Sequence, residues 1–235
     1  MERSILEALN AARSARRAAV TVSDLVSGGS QVYLEGDDCP APWRTSVARA
    51  LQSGRAGIAE TEQGSFFLNV YLPPSRILVI GAVHISQALA KLAPVAGFDM
   101  TIIDPRTAFA TPERFAGVEL IAEWPEDALR ERPLDRFTAL VAVTHDPKID
   151  DHPIRSALEA GCFYVGALGS RKTHATRVER LRQAGVSDAD IARIRAPIGL
   201  DIGAASPAEI AVAILAQIVE ALRRRDTSHV KGAIA

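Results

Sequence analysis

The sequence predicts an α/β protein: a doubly wound parallel sheet preceded by a small α+β N-terminal domain with antiparallel hairpins. Three observations predict it. The stretch 76–106, RILVIGAVHISQALAKLAPVAGFDMTIIDPR, reads as strand, tight turn, helix and second strand. Beyond it, short apolar runs continue to alternate with helical patterns, the signature of repeated βαβ units. Before residue 73 the pattern is different, with alternating segments joined by glycine-containing turns, as in hairpins. Pro73 and Pro74 form a stiff junction between the two styles, so the boundary is placed there, with a small domain over 1–72 and a sheet domain over 75–235.

Taken in order, residues 3–15 suit a short amphipathic helix, 18–26 a strand ended by Gly28 and Gly29, and 31–35 its partner strand. A helix follows over 43–52, then a second hairpin over 57–62 and 65–72 around Gln63 and Gly64. In the sheet domain, Ile77, Leu78, Val79 and Ile80 form an apolar run suited to a strand buried on both faces. Gly81 then permits a sharp turn. Leu89, Leu92, Ala93 and Ala96 recur at helical spacing up to Gly97, which closes the helix, and 100–103 supplies the next strand. A short strand is expected at 120–123, a Pro-initiated helix at 125–131 and a clear buried strand at 137–144. Helix 154–160, strand 162–165, helix 171–183 and a short helix at 187–193 complete the alternation. The last helix begins with Ser206 at the N-cap, Pro207 at the first position and Glu209 at the third, a capping box, and runs to 224.

Composition narrows the function. The chain has 235 residues, 48% of them hydrophobic, enough to bury a substantial core. A net charge of -1 gives no basic field and points away from nucleic acid. Two cysteines, Cys39 and Cys162, make neither a disulfide framework nor a metal knuckle and suit a reducing compartment. No run of about 18 apolar residues suggests a membrane span. The N-terminal helix lacks the apolar core of a signal peptide, so the expectation is a cytoplasmic protein.

In an open parallel sheet, ligands bind beyond the carboxyl ends of the strands. Candidate cofactor-binding residues therefore cluster after each strand. Gly81, Ala82 and His84 occupy the first turn, and Asp104 and Arg106 follow the second strand, with Asp104 23 residues after Gly81. An acid at that distance accepts ribose hydroxyls in a dinucleotide-binding unit. Val83 stands where the second fingerprint glycine would be, which argues for crowding of a pyrophosphate. Doubly wound topology places strand 137–144 beside the first strand, so Thr144, His145, Asp146, Lys148 and Asp150 are expected opposite that turn. Gly169, Ser170, Arg171 and Lys172 open a helix with amide donors and positive charge suited to an anion. Gly199, Asp201 and Gly203 lead into the last helix, a second possible anion site. The histidines have no metal-ligand spacing, and no nucleophile elbow is present, so neither metal ligands nor catalytic residues are assigned. Residues alone leave open a Rossmann-like scaffold without dinucleotide, an NAD(P)-dependent oxidoreductase using Asp104 with His84 or His145, and a nucleotide-sensing regulator that shifts a dimer interface.

The segments GAVHISQALA, IDPRTAFATPERF, THDPKIDDHP, FYVGALGSRKTHATRVERL and IRAPIGLDIGAASPAEIAVAIL together resemble the XdhC/CoxI family, accessory proteins of molybdenum hydroxylases such as xanthine dehydrogenase. The resemblance spans about residues 72–224. It implies a Rossmann domain that binds molybdenum cofactor (molybdopterin), supports its sulfuration and delivers it to the apo-hydroxylase. A cysteine desulfurase partner and a homodimer are compatible with that role, which is one of a maturation chaperone more than a catalyst. The family's usual turn is GAGH, here GAVH. Its N-terminal GGCxE motif has no counterpart in 1–72, where Cys39 lies in DDCP.

Overall fold

Residues 2–225 are described by the computed structural model, and they divide into two units, built on Met1–Pro73 and Pro74–Arg225. Residues 226–235, to which the sheet domain is predicted to extend, lie outside the described residues.

The N-terminal unit contains four strands: β1 (Ala19–Asp24), β2 (Ser30–Leu34), β3 (Gly57–Thr61) and β4 (Gly64–Tyr71). They form one antiparallel sheet in the order β2-β1-β4-β3. Both predicted hairpins are present, and β1 pairs with β4 to join them. The first turn is closed by Asp24, whose carboxylate accepts from the Val26 and Ser27 amides and the Ser27 hydroxyl. Helix α2 (Ala41–Ser53) packs Trp43, Val47 and Ala50 against Val20, Phe66 and Leu68. The Trp43 and Phe66 rings meet edge-on with centroids 4.3 Å apart. Helix α1 (Arg3–Ser14) buries Ile5, Leu9 and Ala12 against Ala19.

The second unit begins with β5 (Arg76–Ile80), which is central to a six-stranded sheet with β6 (Asp99–Ile103), β7 (Glu119–Ile121), β8 (Thr138–Ala142), β9 (Tyr164–Ala167) and β10 (Ile194–Arg195). The order β10-β9-β8-β5-β6-β7 is the doubly wound arrangement, and every pairing is parallel. The strand order reverses at β5, between β6 and β8. Helices α3 (His84–Leu92) and α8 (Pro207–Arg225) belong to one face, with Ile85, Leu89, Ile214 and Ile218 packed on Ile77, Val79 and Val141. On the other face, α4 (Pro125–Glu131), α5 (Pro147–Glu159), α6 (Arg171–Gln183) and the single turn α7 (Asp188–Ile191) cover Leu78, Ile80, Leu140 and Val165. Burial on both faces explains why these strands read as continuous apolar runs.

Three elements differ from expectation. Helix α3 stops at Leu92, because Pro94 has no amide hydrogen and its ring opposes continuation. A 3-10 turn, Pro94–Ala96, carries the chain to Gly97 at φ +81°. Helix α5 starts at Pro147, seven residues before the predicted helix, so the polar run THDPKIDDHP is mostly helix and not loop. Strand β10, two residues long, was not expected.

Candidate functional site

All six strands are parallel, so their carboxyl ends share one edge, and the turn after β5 lies at the reversal point. Gly81 has φ +119°, and a Cβ there would lie 2.9 Å from Thr144 Cγ2. Conformation and space both demand glycine. The Gly81 amide donates to the Ile103 carbonyl at 2.8 Å, and its carbonyl accepts from the fully buried Ser86 hydroxyl at 2.5 Å. The turn is thus fixed to β6 on one side and packed against the end of β8 on the other. Val83 is the N-cap of α3 in an extended conformation, half-buried against the α3–α8 core. That packing turns part of its side chain inward and weakens the steric objection to a pyrophosphate. No side chain caps α3, and the first amides of any helix lack an internal partner. His84, its first residue, is exposed.

Asp104 is fully buried at the end of β6. Its Oδ2 accepts from the Ala82 amide and Arg106 Nη2, both at 2.7 Å, and its Oδ1 accepts from the Arg106 amide and Nε, both at 2.9 Å. Burial alone would raise its pKa, but the Arg106 fork and the two amides outweigh that and hold it below the usual carboxylate range. Arg106 in turn has its pKa raised, first by its bonds to Asp104. Occupied on both oxygens, Asp104 is not poised to accept ribose hydroxyls, the role its spacing suggested. Arg114, which the sequence did not single out, donates to the Ala82 carbonyl at 3.3 Å and the Phe109 carbonyl at 2.7 Å.

After β8, the Val143 amide donates to the Ile80 carbonyl at 2.9 Å, and Thr144 follows directly beside Gly81. Its hydroxyl donates to Asp150 Oδ1 at 2.7 Å and accepts from the Asp146 amide at 3.0 Å. His145, exposed, takes the left-handed conformation at φ 65°, rare for a residue with a side chain. Asp146 is the N-cap of α5 and accepts from the Lys148 amide, and Lys148 itself is exposed. Asp150 lies in the first turn of α5 with its Oδ2 unpartnered among the described residues. Burial raises its pKa to about 6, opposed by the Thr144 hydrogen bond and by Arg177. Arg177, also buried, bonds the Leu168 carbonyl through Nη2 at 3.0 Å but leaves Nε and Nη1 without partners among the described residues.

The third cluster opens α6. Gly169 has φ +137°, Ser170 caps the helix by accepting from the Thr173 amide, and Arg171 and Lys172 are exposed in the first turn. The fourth is divided. Gly199, at φ +94°, packs against α8, where a Cβ would lie 3.1 Å from that of Ala213. Gln217 clamps it, accepting from the Gly199 amide at 2.9 Å, donating to the Gly199 carbonyl at 3.0 Å and accepting from the Tyr164 hydroxyl at 2.7 Å. Gly199 therefore serves packing. Asp201 and Gly203 are exposed. The amides of Ala205 and Ser206 are taken by Glu209 Oε2, at 2.8 and 2.9 Å, so the start of α8 carries its own carboxylate and does not present those amides to an anion. The geometry thus gathers Gly81, Ala82, His84, Asp104, Arg106, Thr144, His145 and Asp146 at the reversal point. Gly169, Ser170, Arg171 and Lys172 stand at the next strand end, and Gly199 is set apart. Cys162, buried, has its thiol pushed up to about 12 by burial, as a core residue should. Among the described residues no group of three His, Cys, Asp or Glu could hold a metal ion, and no helix is long and apolar enough to cross a membrane.

A family model described as the XdhC Rossmann domain matches residues 77–218. A Bacillus subtilis (strain 168) protein named as a probable xanthine dehydrogenase component is 32% identical over 161 residues, covering 68% of this chain and 47% of that protein. The Escherichia coli (strain K12) molybdenum cofactor insertion chaperone PaoD is 30% identical over 148 residues, covering 63% of this chain and 40% of PaoD. A crystal structure titled as a xanthine dehydrogenase from Bacillus halodurans aligns at 25% identity with a TM-score of 0.64, covering 95% of this chain and 65% of that one. The chain spans less than half the length of these curated relatives.

Proposed function

We propose, since the chain belongs to the XdhC family, that it is an accessory protein that binds molybdenum cofactor at the reversal-point crevice and supports its insertion into a molybdenum hydroxylase. The observation that carries this is the start of α3, which opens at the reversal point, beside the Gly81 turn, without a side-chain cap. At α5, α6 and α8 the chain supplies its own cap or carboxylate, and α4, also without a side-chain cap, follows the edge strand β7 and not the reversal point. An uncapped helix start with a tight glycine turn suits a phosphate, and the cofactor carries one. Arg106, Arg171 and Lys172 add positive charge along the same sheet edge. Recognition through the phosphate draws on the organic part of the cofactor. The cofactor supplies the redox-active metal. The chain supplies phosphate donors and a fixed crevice floor. Support of sulfuration together with a cysteine desulfurase, a homodimer and a cytoplasmic location belong to the same proposal, as does a division of labour between a small N-terminal domain and the Rossmann-like domain.

A second reading, an NAD(P)-dependent enzyme, draws on the dinucleotide-type strand order and the inward packing of Val83. The occupied Asp104 weighs against NAD, whose free ribose diol would need that carboxylate. Molybdopterin binding by the full chain, followed by fluorescence of its oxidised pterin, tests the first reading. Arg171→Ala/Lys172→Ala should weaken binding by about 2 to 4 kcal/mol if both contact the phosphate. Unchanged affinity in a folded double variant removes the α6 anion site.

A further inference from the structure

In a dinucleotide-binding unit, the acid at the end of the second strand reads a ribose by accepting from its hydroxyls, which requires free carboxylate oxygens. Asp104 stands at that place and has none. Its exposure is 0%, and both oxygens are taken by the Ala82 amide, the Arg106 amide and the Arg106 side chain. Accepting a sugar hydroxyl would mean giving up a bond that holds either the glycine turn or Arg106. The group presented at this strand end is Arg106, whose side chain is 33% exposed.

The contact to Asp104 is side-on, through Nε and Nη2. That leaves the opposite edge of the guanidinium open, since Nη1 donates to no protein acceptor among the described residues and Nη2 retains a second hydrogen. The Phe109 ring sits against the guanidinium, 4.8 Å from its carbon. The fork is therefore oriented before any ligand arrives, and its free edge has the spacing of two phosphate oxygens. A neutral diol gains much less from it. Asp146 and Asp150 also act electrostatically on Arg106, and their negative charge limits the size of the preference.

We infer that Arg106, braced by Asp104, makes the crevice end of β6 a subsite for a phosphate monoester, selecting ligands that carry one there over ligands with a free ribose diol. The inference rests on the crevice being the ligand site. The phosphate could belong to a nucleotide 2′-position or to the pterin cofactor, and two calorimetric comparisons on the full chain separate these sources. One sets NADP+ against NAD+. The other sets molybdopterin against molybdopterin stripped of its phosphate.

At least one pair should differ by about tenfold or more in favour of the phosphate-bearing member, the effect of a charge-assisted bond. That difference should vanish in Asp104→Asn/Arg106→Ala, which keeps an acceptor for the Ala82 amide and leaves no buried charge. Arg106→Ala alone would strand Asp104, so the double variant is the informative one, and the wild-type ratios stand without any variant. Equal affinities within both pairs, or tighter binding of the diol form, overturn the subsite and leave the crevice reading intact. A preference that survives the double variant also overturns it, because the phosphate is then read elsewhere. Binding of no probe overturns the subsite and the crevice reading together, which sets that outcome apart from equal affinities.

Discussion

Asp104, at the end of β6, and Asp150, in the first turn of α5, are closed off from solvent to the same degree, at 0% and 1% exposure. Asp104 takes two backbone amides and a two-pronged arginine, and its pKa falls. Asp150 takes the Thr144 hydroxyl, keeps one oxygen unpartnered, and its pKa climbs to about 6 because burial outweighs the Thr144 bond and the more distant Arg177. Burial sets the cost of a charge, and the number and charge of the donors decide whether the cost is met. Two carboxylates along one sheet edge therefore do different work, one as a permanent anion that fixes the crevice floor and the other as a group that exchanges its proton near neutrality.

The contrast is tested most severely at Asp104. Replacement by Ala strands the Ala82 amide and removes the partner of Arg106, and the expected loss is about 3 to 5 kcal/mol, as for breaking a buried pair. Urea unfolding should show it as a lower midpoint. A loss under about 1 kcal/mol would mean that water replaces the carboxylate at little cost.

A smaller effect separates the two residues by pH. The folded pKa of Asp150 lies above that of an unfolded aspartate, so the folded state holds this proton more tightly. The stability owed to it is complete below about pH 4 and is lost as the pH rises to about 6. Against Asp150→Asn, the wild type should lose about 2 to 3 kcal/mol across that window. Asp104 has the opposite sign, since its contribution is present above about pH 4 and is lost as the pH falls through its depressed pKa. With wild type compared to each Asn variant at a series of pH values, the Asp150 difference should fall between about pH 4 and 6, where the Asp104 difference stays flat, and the Asp104 difference should fall only as the pH drops below about 4. Parallel slopes would refute the contrast.

The smallest effect is at Thr144. Thr144→Val keeps the shape and removes the hydroxyl bonded to Asp150, which should cost about 1 kcal/mol and move the Asp150 titration further upward. Carbon-13 NMR of the Asp150 carboxyl reads this directly, and an unmoved midpoint would show that the Thr144 bond does not hold the ionised form.

The positions of both carboxylates were legible in the sequence, and their states were not. Gly81, the apolar run before it and the 23-residue interval mark Asp104 as a strand-end acid. Nothing in spacing reveals that Arg106, two residues on, folds back to occupy it. Asp150 was hidden by a different cause. The inner stripe of α5 is Ile149, Asp150, Pro153, Ile154, Ala157 and Leu158, and the aspartate and proline within it interrupt the apolar period that would have shown the helix starting at Pro147. Asp146 before Pro147 was a readable N-cap signal. Arg177 escaped notice because α6 is rich in charge, and its burial is set by α5 and the end of β9. The two residues of β10 carry too little periodicity to be seen at all. Gly199 looked like a ligand-facing glycine, although its fit against Ala213 depends on a helix that follows it in the chain.

The Gln217 clamp has a kinetic consequence. One side-chain amide both gives to and takes from the Gly199 backbone, so α8 lends the loop the kind of pairing that an adjacent strand would provide. The Gly199 amide should then exchange with deuterium only when that part of α8 opens, while the exposed Gly203 amide exchanges at nearly the rate of an unstructured chain. The loop before α8 thus consists of two clocks a few residues apart. Gln217→Ala should set the slow one running at the speed of the fast one.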